Sequence, residues 1–304
     1  MIDRRSVLGL AAGALALSVT GAVAQDWKAK YPELVFAVIP SENAAGVTER
    51  WTPFVEYLSK AIGTKVTLRV AQDYAGVIEG QKAGNIHIAY YGPASYSRAT
   101  IVGAKIEPFA IDVNKDGSKG YYSVFYVKKD SPYQKIEDLK GKNLGLVDPN
   151  STSGFNMPKY ALSKMGIEPE VFFSKVVATG SHENAVLALS QGTVDVAANW
   201  WNSEDDSNLT RMVNKKMVPS KDDFRIIFKS PLIINSPYAY LSDLPAELKT
   251  RIATAFYAAA KDAPEAFNKL SDGKNRPWEA IDDKAYDDTR ALIKYVDELR
   301  KKKS

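Results

Sequence analysis

The first third of the chain alternates short apolar runs with segments of helical periodicity. Leu34–Pro40, Lys65–Val70 and Ile86–Tyr91 are apolar or alternating runs that predict strands. Thr48–Ile62 and Tyr74–Ala83 carry apolar residues at helical spacing and are each followed by a glycine, which predicts two helices. Strands and helices that alternate in this way predict a parallel, doubly wound α/β sheet.

A second region of the same kind begins at the β-prone run Tyr121–Val127. It continues with an apolar strand at Leu144–Val147 and a helix at Met157–Lys164. The segments that start at Ile78 (IEGQKAGNIHIAY) and at Val186 (VLALSQGTVDVAAN) repeat one helix–glycine–strand pattern. This repeat predicts two similar α/β lobes.

We predict that residues 25–122 plus 238–304 form lobe one and that residues 123–237 form lobe two. The chain would cross between the lobes near 121–126 and 232–240. Two amphipathic helices end the chain and are expected to pack on lobe one. In such a fold the ligand lies in the cleft between the lobes, where the carboxyl ends of the strands face each other.

The N-terminus has the features of an export signal. Arg4 and Arg5 precede a mildly apolar run, Val7–Val19, and Ala22-Val23-Ala24 provides an A-x-A cleavage site. We therefore predict a cleaved signal peptide at residues 1–24 and a periplasmic mature protein. The arginine pair favours twin-arginine export, with an ordinary Sec signal as the alternative.

Composition restricts the class of protein further. The chain of 304 residues is 45% hydrophobic and 25% charged, as in ordinary globular domains, and it has no cysteine. Disulfides, thiolate metal sites and a cysteine nucleophile are thereby excluded. The formal net charge of +4 is spread along the chain, so no nucleic-acid partner is expected. After the signal peptide no stretch approaches the ~20 apolar residues of a membrane span.

The segment DPNSTSGF, residues 148–155, carries the most informative chemistry. It follows a predicted strand and opens a predicted helix, and the first N–H groups of a helix attract anions. Ser151, Thr152 and Ser153 add three hydroxyls, and Gly154 permits close approach of the backbone. The alternative is an ordinary helix cap, since Ser and Thr are common at that position.

Other polar residues are expected at the same cleft. Tyr74 opens a helix of lobe one, Tyr121 lies at a crossing segment, and His182 begins a helix of lobe two. Hydroxyls, an imidazole and helix N-termini together suit a tetrahedral oxyanion. His87, which alternates with apolar residues in a strand, is interpreted as structural.

A secreted phosphoester hydrolase is the alternative from another class. The sequence has no G-x-S-x-G motif around a serine, and its two histidines are far apart. A metal would depend on a carboxylate cluster such as the acidic run at residues 204–206, whose simpler interpretation is a solvated loop. We therefore expect no catalytic residue, no metal and no cofactor.

Several of these segments together resemble a known family. DYAG (73–76), GYYSVFYVKKDSP (120–132), DPNSTSGF (148–155), GSHE (180–183) and KSPLI (229–233) are similar to motifs of the periplasmic substrate-binding proteins of phosphonate ABC transporters. The resemblance spans about Leu34 to Tyr240. It implies a type II periplasmic binding fold that closes around a phosphonate and delivers it to an inner-membrane permease, without catalysis.

The resemblance also implies a set of ligand-binding residues. Those matching the family around the phosphonate oxygens are Tyr74, Tyr121, Ser151, Thr152, Ser153 and His182. In the family, an acidic residue after the VDVA strand holds the amino group of the ligand, a role open here to Glu204, Asp205 or Asp206. The second acidic position of the family is occupied by Ser236, which weakens the case for 2-aminoethylphosphonate.

The identity of the ligand therefore stays open at this point. Phosphite, phosphate and methylphosphonate are the alternatives to 2-aminoethylphosphonate. Trp200 and Trp201 are expected either to form an apolar or cation–π wall at the ligand or to pack in the core.

Overall fold

The computed structural model describes residues 26–301, so the predicted signal peptide lies outside the described residues. Two β-sheets with helices packed against them form two lobes. The strands are β1 (Glu33–Val38), β2 (Lys65–Val70), β3 (Ile88–Tyr90), β4 (Ile106–Asn114), β5 (Gly120–Lys128), β6 (Asn143–Leu146), β7 (Lys175–Ala178), β8 (Val196–Ser203), β9 (Asp206–Ser207), β10 (Phe224–Lys229), β11 (Ile233–Ile234), β12 (Pro237–Leu241) and β13 (Asn275–Glu279).

Eleven α-helices lie between these strands within the described residues. They are α1 (Asp26–Lys30), α2 (Ala44–Ile62), α3 (Tyr74–Lys82), α4 (Pro93–Ile101), α5 (Met157–Lys164), α6 (Pro169–Phe172), α7 (His182–Ser190), α8 (Asn208–Asn214), α9 (Ala246–Asp262), α10 (Pro264–Ser271) and α11 (Asp287–Lys301). A single turn of π-helix, Thr152–Asn156, leads into α5. None of the helices within residues 26–301 has the length and apolarity needed to cross a bilayer.

The two sheets share one arrangement of strands. The first lobe has the order β13-β4-β12-β3-β1-β2, and the second has β10-β5-β8-β6-β7. In each, a parallel trio is extended by antiparallel strands: β1 pairs with β2 and β3, and β6 pairs with β7 and β8. The parallel pairing predicted from the first three strands is confirmed for β1, β2 and β3. Each sheet as a whole is mixed, because β12 and β5, the strands that follow the two crossings, run antiparallel to their neighbours.

The internal repeat occupies equivalent positions in the two lobes. Helix α3 leads through Gly84 to β3, and α7 leads through Gly192 to β8. Both glycines adopt positive φ, +76° and +74°, which suits a chain that turns sharply from a helix into a strand. Each of these strands lies between a parallel partner and the strand that has just crossed between lobes.

The two helices near the C-terminus pack differently from each other. Helix α9 lies on the first lobe, where it contacts α2, β4 and β13. Helix α11 contacts α4 of the first lobe but also α5 and the π-helical turn of the second. Its Leu292 and Val296 form a small apolar cluster with Met157 and with Ile233 of the crossing segment. Helix α11 therefore covers the side on which the chain passes between the lobes.

Candidate functional site

A cavity of about 130 Å³ lies between the two lobes. Six residues proposed from the sequence line it together, namely Tyr74, Tyr121, Ser151, Thr152, Ser153 and His182. Their side chains come from both lobes, and all but Tyr121 are almost fully buried. We call this set the hydroxyl cradle.

The π-helical turn shapes the second-lobe half of the cradle. The backbone N–H of Asn156 donates to the carbonyl of Ser151 at 3.0 Å, a spacing of five residues that widens the turn. Ser151 Oγ accepts the N–H of Gly154 at 3.1 Å. A Cβ on Gly154 would lie 2.3 Å from Val147 Cγ2, so the turn can press against its strand only because this residue is glycine.

Helix N-termini converge on the cavity from the first lobe as well. Tyr74 is the first residue of α3, and its hydroxyl faces Ser151. The start of α4 had no counterpart in the sequence prediction, and there the N–H of Ala94 donates to Thr152 Oγ1 at 2.8 Å. The signal available for it was Gly92-Pro93, since proline is favoured in the first turn of a helix. Together with the π-helical turn and α7, these ends direct the positive poles of their backbone dipoles towards the cradle.

The tyrosines of the cradle are neutral hydrogen-bond donors. Burial raises the pKa of Tyr121 to about 12, although its hydroxyl also faces Thr152 and Ser153. Burial, together with the negative charge of Asp148, raises the pKa of Tyr74 well above its ordinary value. Both side chains therefore keep their protons at neutral pH.

His182 is buried at the first position of α7. Its backbone N–H donates to the carbonyl of Ser41 in the other lobe at 3.3 Å. One ring nitrogen, Nδ1, lies 3.1 Å from Asn199 Oδ1, and the other, Nε2, lies 3.4 Å from Ser151 Oγ. Burial lowers the pKa of His182 to about 4, so the ring is neutral at pH 7.

A cluster of charged residues joins the lobes beside the cradle. We call it the interlobe ion cluster; it comprises Glu42, Arg50, Glu183, Arg211, Lys215 and Asp272. Glu42 of the first lobe is 6% exposed and pairs with Arg50 at 3.2 Å and, across the cleft, with Arg211 at 3.3 Å. Lys215 of the second lobe bridges Glu42 and Glu183. Sequence reasoning missed this cluster because its members are far apart in the chain and follow no motif.

The opposite charges strongly affect the ionisation of Glu42. Burial alone would raise the pKa of this carboxyl group, but Arg211, Arg50 and Lys215 outweigh burial and lower it to about 2. Glu183 is held from both lobes, since Asn43 of the first lobe donates to its Oε2 from both its backbone and its side chain, at 2.7 and 2.8 Å. These contacts join the two lobes across the cleft.

The end of the cavity away from the cradle combines aromatic rings with two further carboxylates. Asp112 is partly buried there and accepts from Tyr90 at 2.9 Å and from Trp278 Nε1 at 2.8 Å. Burial raises the pKa of Asp112. Asp206 also lines the cavity and accepts from Asn202 at 2.7 Å.

The acidic run after β8 is only partly at the cavity. Glu204 and Asp205 do not line it: Glu204 faces a separate surface depression, and Asp205, with its side chain 80% exposed, pairs with Lys221. The reason is that β8 and β9 form a tight turn whose tip carries these two residues into solvent. Ser236 lines the cavity.

The two tryptophans of β8 point to opposite faces of their sheet, as consecutive strand residues do. Trp200 lines the cavity and lies 4.8 Å beneath the guanidinium of Arg211. Trp201 faces away and packs against Tyr122 and Lys229. A cation–π contact therefore forms at the cavity, but the cation belongs to the protein.

The residues present do not form a metal centre or a hydrolase site. Within residues 26–301 no group of three His, Asp or Glu side chains is arranged to hold a metal. Ser151 and His182 are neighbours, but Ser151 Oγ caps the π-helical turn, and the partner of the imidazole is the carboxamide of Asn199. Two lobes around a buried, hydroxyl-lined cavity define a type II periplasmic binding protein.

Comparison with known proteins agrees with this class. The model of the family "ABC transporter, phosphonate, periplasmic substrate-binding protein" matches residues 36–286. The Phosphonates-binding periplasmic protein of Escherichia coli K12 is 36% identical over 237 residues, which are 76% of this chain and 68% of that protein. The Phosphate-import protein PhnD of Mycolicibacterium smegmatis is 31% identical over 246 residues, covering 77% and 73% of the two chains.

A solved structure supports the same assignment. The binding protein component of an ABC phosphonate transporter from Pseudomonas aeruginosa superimposes with a TM-score of 0.78, at 30% identity and with 88% of each chain covered. The chain belongs to the family of periplasmic substrate-binding proteins of phosphonate ABC transporters. It is a transport protein and not an enzyme, which confirms the class of function expected from the sequence.

Proposed function

We propose that the cavity binds a small phosphonate, with the phosphonate oxygens in the hydroxyl cradle. The observation that carries this proposal is the convergence of six neutral hydrogen-bonding side chains and several helix N-termini on one buried cavity. Hydrogen bonds to a charged group contribute about 1.5–3 kcal/mol each. Four or five of them, less the cost of ordering and closure, give about −8 to −12 kcal/mol, or micromolar to nanomolar affinity.

The far end of the cavity favours a ligand with a short amino-substituted chain. Glu42 is neutralised by three cations, whereas no Lys or Arg within residues 26–301 lies within ion-pair distance of Asp112 or Asp206, and Arg211 acts on both only from a longer distance. Asp206 is the member of the 204–206 run that lines the cavity, so it is proposed to accept the amino group of a ligand such as 2-aminoethylphosphonate.

A small unsubstituted oxyanion is the second candidate. Ser236 stands where the family carries an acidic residue, which removes one partner for an ammonium group. In addition, the Mycolicibacterium smegmatis relative is named as a phosphate-import protein. Phosphate, phosphite and methylphosphonate would use the cradle alone.

Calorimetry with 2-aminoethylphosphonate, methylphosphonate, phosphite and phosphate separates these candidates. Asp206→Asn is expected to weaken 2-aminoethylphosphonate about tenfold or more, the effect of one charge-assisted contact, and to leave methylphosphonate nearly unchanged. Asp205→Asn is the matched control, since that neighbour is exposed and off the cavity. Equal affinities for all four ligands in wild type would overturn the amino-group assignment.

The proposed function also includes a route of export and a partner in the inner membrane. The protein would be exported by a signal peptide at residues 1–24, of the twin-arginine type. In the periplasm it would deliver its ligand to an inner-membrane permease. Closure would move residues 123–237 against residues 25–122 plus 238–304, with crossings near 121–126 and 232–240 as hinges.

A further inference from the structure

The hydrogen atoms available to Ser151 and His182 can be counted from their fixed partners. Asn199 Oδ1 accepts the backbone N–H of Trp200 at 3.0 Å, and Asn199 Nδ2 donates to the carbonyl of His182 at 2.9 Å. Both contacts orient the carboxamide the same way, with its oxygen towards His182 Nδ1. Nδ1 therefore carries the ring hydrogen, and a neutral ring presents a lone pair at Nε2.

Ser151 cannot supply the hydrogen that is missing at the cavity. Its Oγ already accepts the N–H of Gly154 and also faces the hydroxyl of Tyr74, and its single hydroxyl hydrogen serves one acceptor at a time: His182 Nε2, Tyr74 or a ligand oxygen. If Ser151 donates to the ligand, Nε2 faces the cavity with an unpaired lone pair. If it donates to Nε2, its own oxygen faces the ligand with a lone pair. Tyr74, Ser151 and His182 Nε2 together carry only two hydrogens, so one of these three groups meets a fully ionised oxyanion without a hydrogen to donate.

We propose that Ser151 and His182 select ligands by whether the ligand itself carries a proton. The site would then bind the singly protonated phosphonate and reject sulfonates of the same shape. The P–O–H hydrogen supplies the missing donor. This inference rests on the proposed binding of a phosphonate in the hydroxyl cradle. A sulfonate carries no proton near neutral pH and would leave a lone pair facing one of its oxygens.

The surrounding charges support a singly charged ligand. The titratable groups nearest the cradle are Tyr74 from α3, Tyr121 from β5 and Asp148 from the loop after β6, and the adjacent Glu183 is paired with Lys215. The cations that line the same cavity, Arg50 and Arg211, are both paired with Glu42. None of them is an uncompensated cation. Because the cost of burying an ion rises steeply with its charge, a cradle of neutral donors favours a monoanion over a dianion.

The test compares methylphosphonate with methanesulfonate, which share one shape and differ in the proton. At neutral pH we expect methanesulfonate to bind about 100-fold more weakly, as for a site with an unpaired buried polar group. Near pH 8, where the dianion predominates, calorimetry in two buffers of different ionisation enthalpy should show uptake of about one proton per complex, and near pH 5.5 about none. Above the second pKa of the ligand, the apparent affinity should fall about tenfold per pH unit.

Variants at His182 and Asn199 check the assignment independently. His182→Gln, which offers an amide donor, should reduce the preference for methylphosphonate about tenfold or more. Asn199→Asp, which stabilises the protonated ring, should also reduce the preference for methylphosphonate and should abolish proton uptake. If this buried variant does not fold, the wild-type calorimetry still tests the inference. Tight binding of methylphosphonate without proton uptake, or equal binding of methanesulfonate, would overturn this inference alone. Failure of all four phosphorus oxyanions to bind would overturn the proposed function and the inference with it.

Discussion

Lys215 Nζ lies 2.5 Å from Glu42 Oε2, and the two residues belong to opposite lobes. The same ammonium lies 2.9 Å from Glu183 Oε1 in its own lobe. Lys215 does not line the cavity, so it can affect binding only by stabilising the closed form. The cost of separating the lobes and the contacts to the ligand can therefore be varied independently.

Lys215→Gln should speed dissociation of the ligand while leaving association nearly unchanged. Glu42 keeps both arginines and Lys215 is partly solvated, so we expect a loss of about 1–2 kcal/mol, or five- to thirtyfold in affinity. Stopped-flow tryptophan fluorescence separates the two rates. Lys216→Gln, at the neighbouring exposed position, is the control and should behave as wild type; an unchanged dissociation rate in Lys215→Gln would remove this contact from closure.

The stability of the protein should depend on Glu42 at acid pH. Because its pKa is lowered from 4.5 to about 2, the stabilisation is fully present above pH 4.5 and is lost as the pH falls towards 2. A shift of this size corresponds to at most about 3 kcal/mol of unfolding free energy. Chemical denaturation across this range should show a flatter profile for Glu42→Gln than for wild type. The exposed-site variant Glu79→Gln should retain the wild-type slope.

Gly154→Ala should disrupt the hydroxyl cradle without removing any of its groups. The added methyl would overlap Val147 and approach Ser151 Oγ to 2.9 Å, so the π-helical turn must shift. We expect a loss of about 1–3 kcal/mol in stability and at least tenfold weaker binding of methylphosphonate. Val147→Gly removes both clashing atoms, Cγ2 and the Cβ that would lie 2.4 Å from the added methyl, so the double variant should recover part of the affinity. A double variant no better than the single would show that the steric explanation is wrong.

Tyr74→Phe should weaken every phosphonate-type ligand to a similar degree. The raised pKa keeps the hydroxyl protonated as a donor, and its loss should cost about 1.5–3 kcal/mol, or ten- to a hundredfold. Affinities for methylphosphonate and phosphite should fall together, as measured by calorimetry. Tyr91→Phe is a suitable control because Tyr91 is equally buried but does not line the cavity.

The residues of the cradle were predictable from the sequence because each lies within a local motif. The strand β2 agrees with its predicted bounds, and α5 does too, since apolar spacing sets both. Local signals are less informative at element ends: α2 begins at Ala44, where Asn43 caps it, four residues before the predicted start. The sequence of Arg225–Ile234 (RIIFKSPLII) is strand-like throughout, but the structure breaks this run at Ser230-Pro231, because proline cannot continue the ladder.

The other end of the cavity was not predictable in the same way. Arg211, Glu42 and Asp112 come from separate elements and line one cavity only because the fold brings those elements together. Which residue of the 204–206 run lines the cavity depends on the register of a two-strand turn, and a shift of one position reverses the face. The intrinsic strand propensities of the residues do not determine that register.

The position of helix α11 determines how much the heat capacity of the protein should change when the cleft opens. The lobes share apolar packing under α11, beside the crossing segments, whereas the seam at the Glu42 side is ionic. Opening at the ionic seam wets charged groups and leaves the apolar packing in place. Since heat capacity rises mainly with exposed apolar surface, the open and closed forms should differ little in heat capacity. The affinity should accordingly respond strongly to salt and its enthalpy only weakly to temperature.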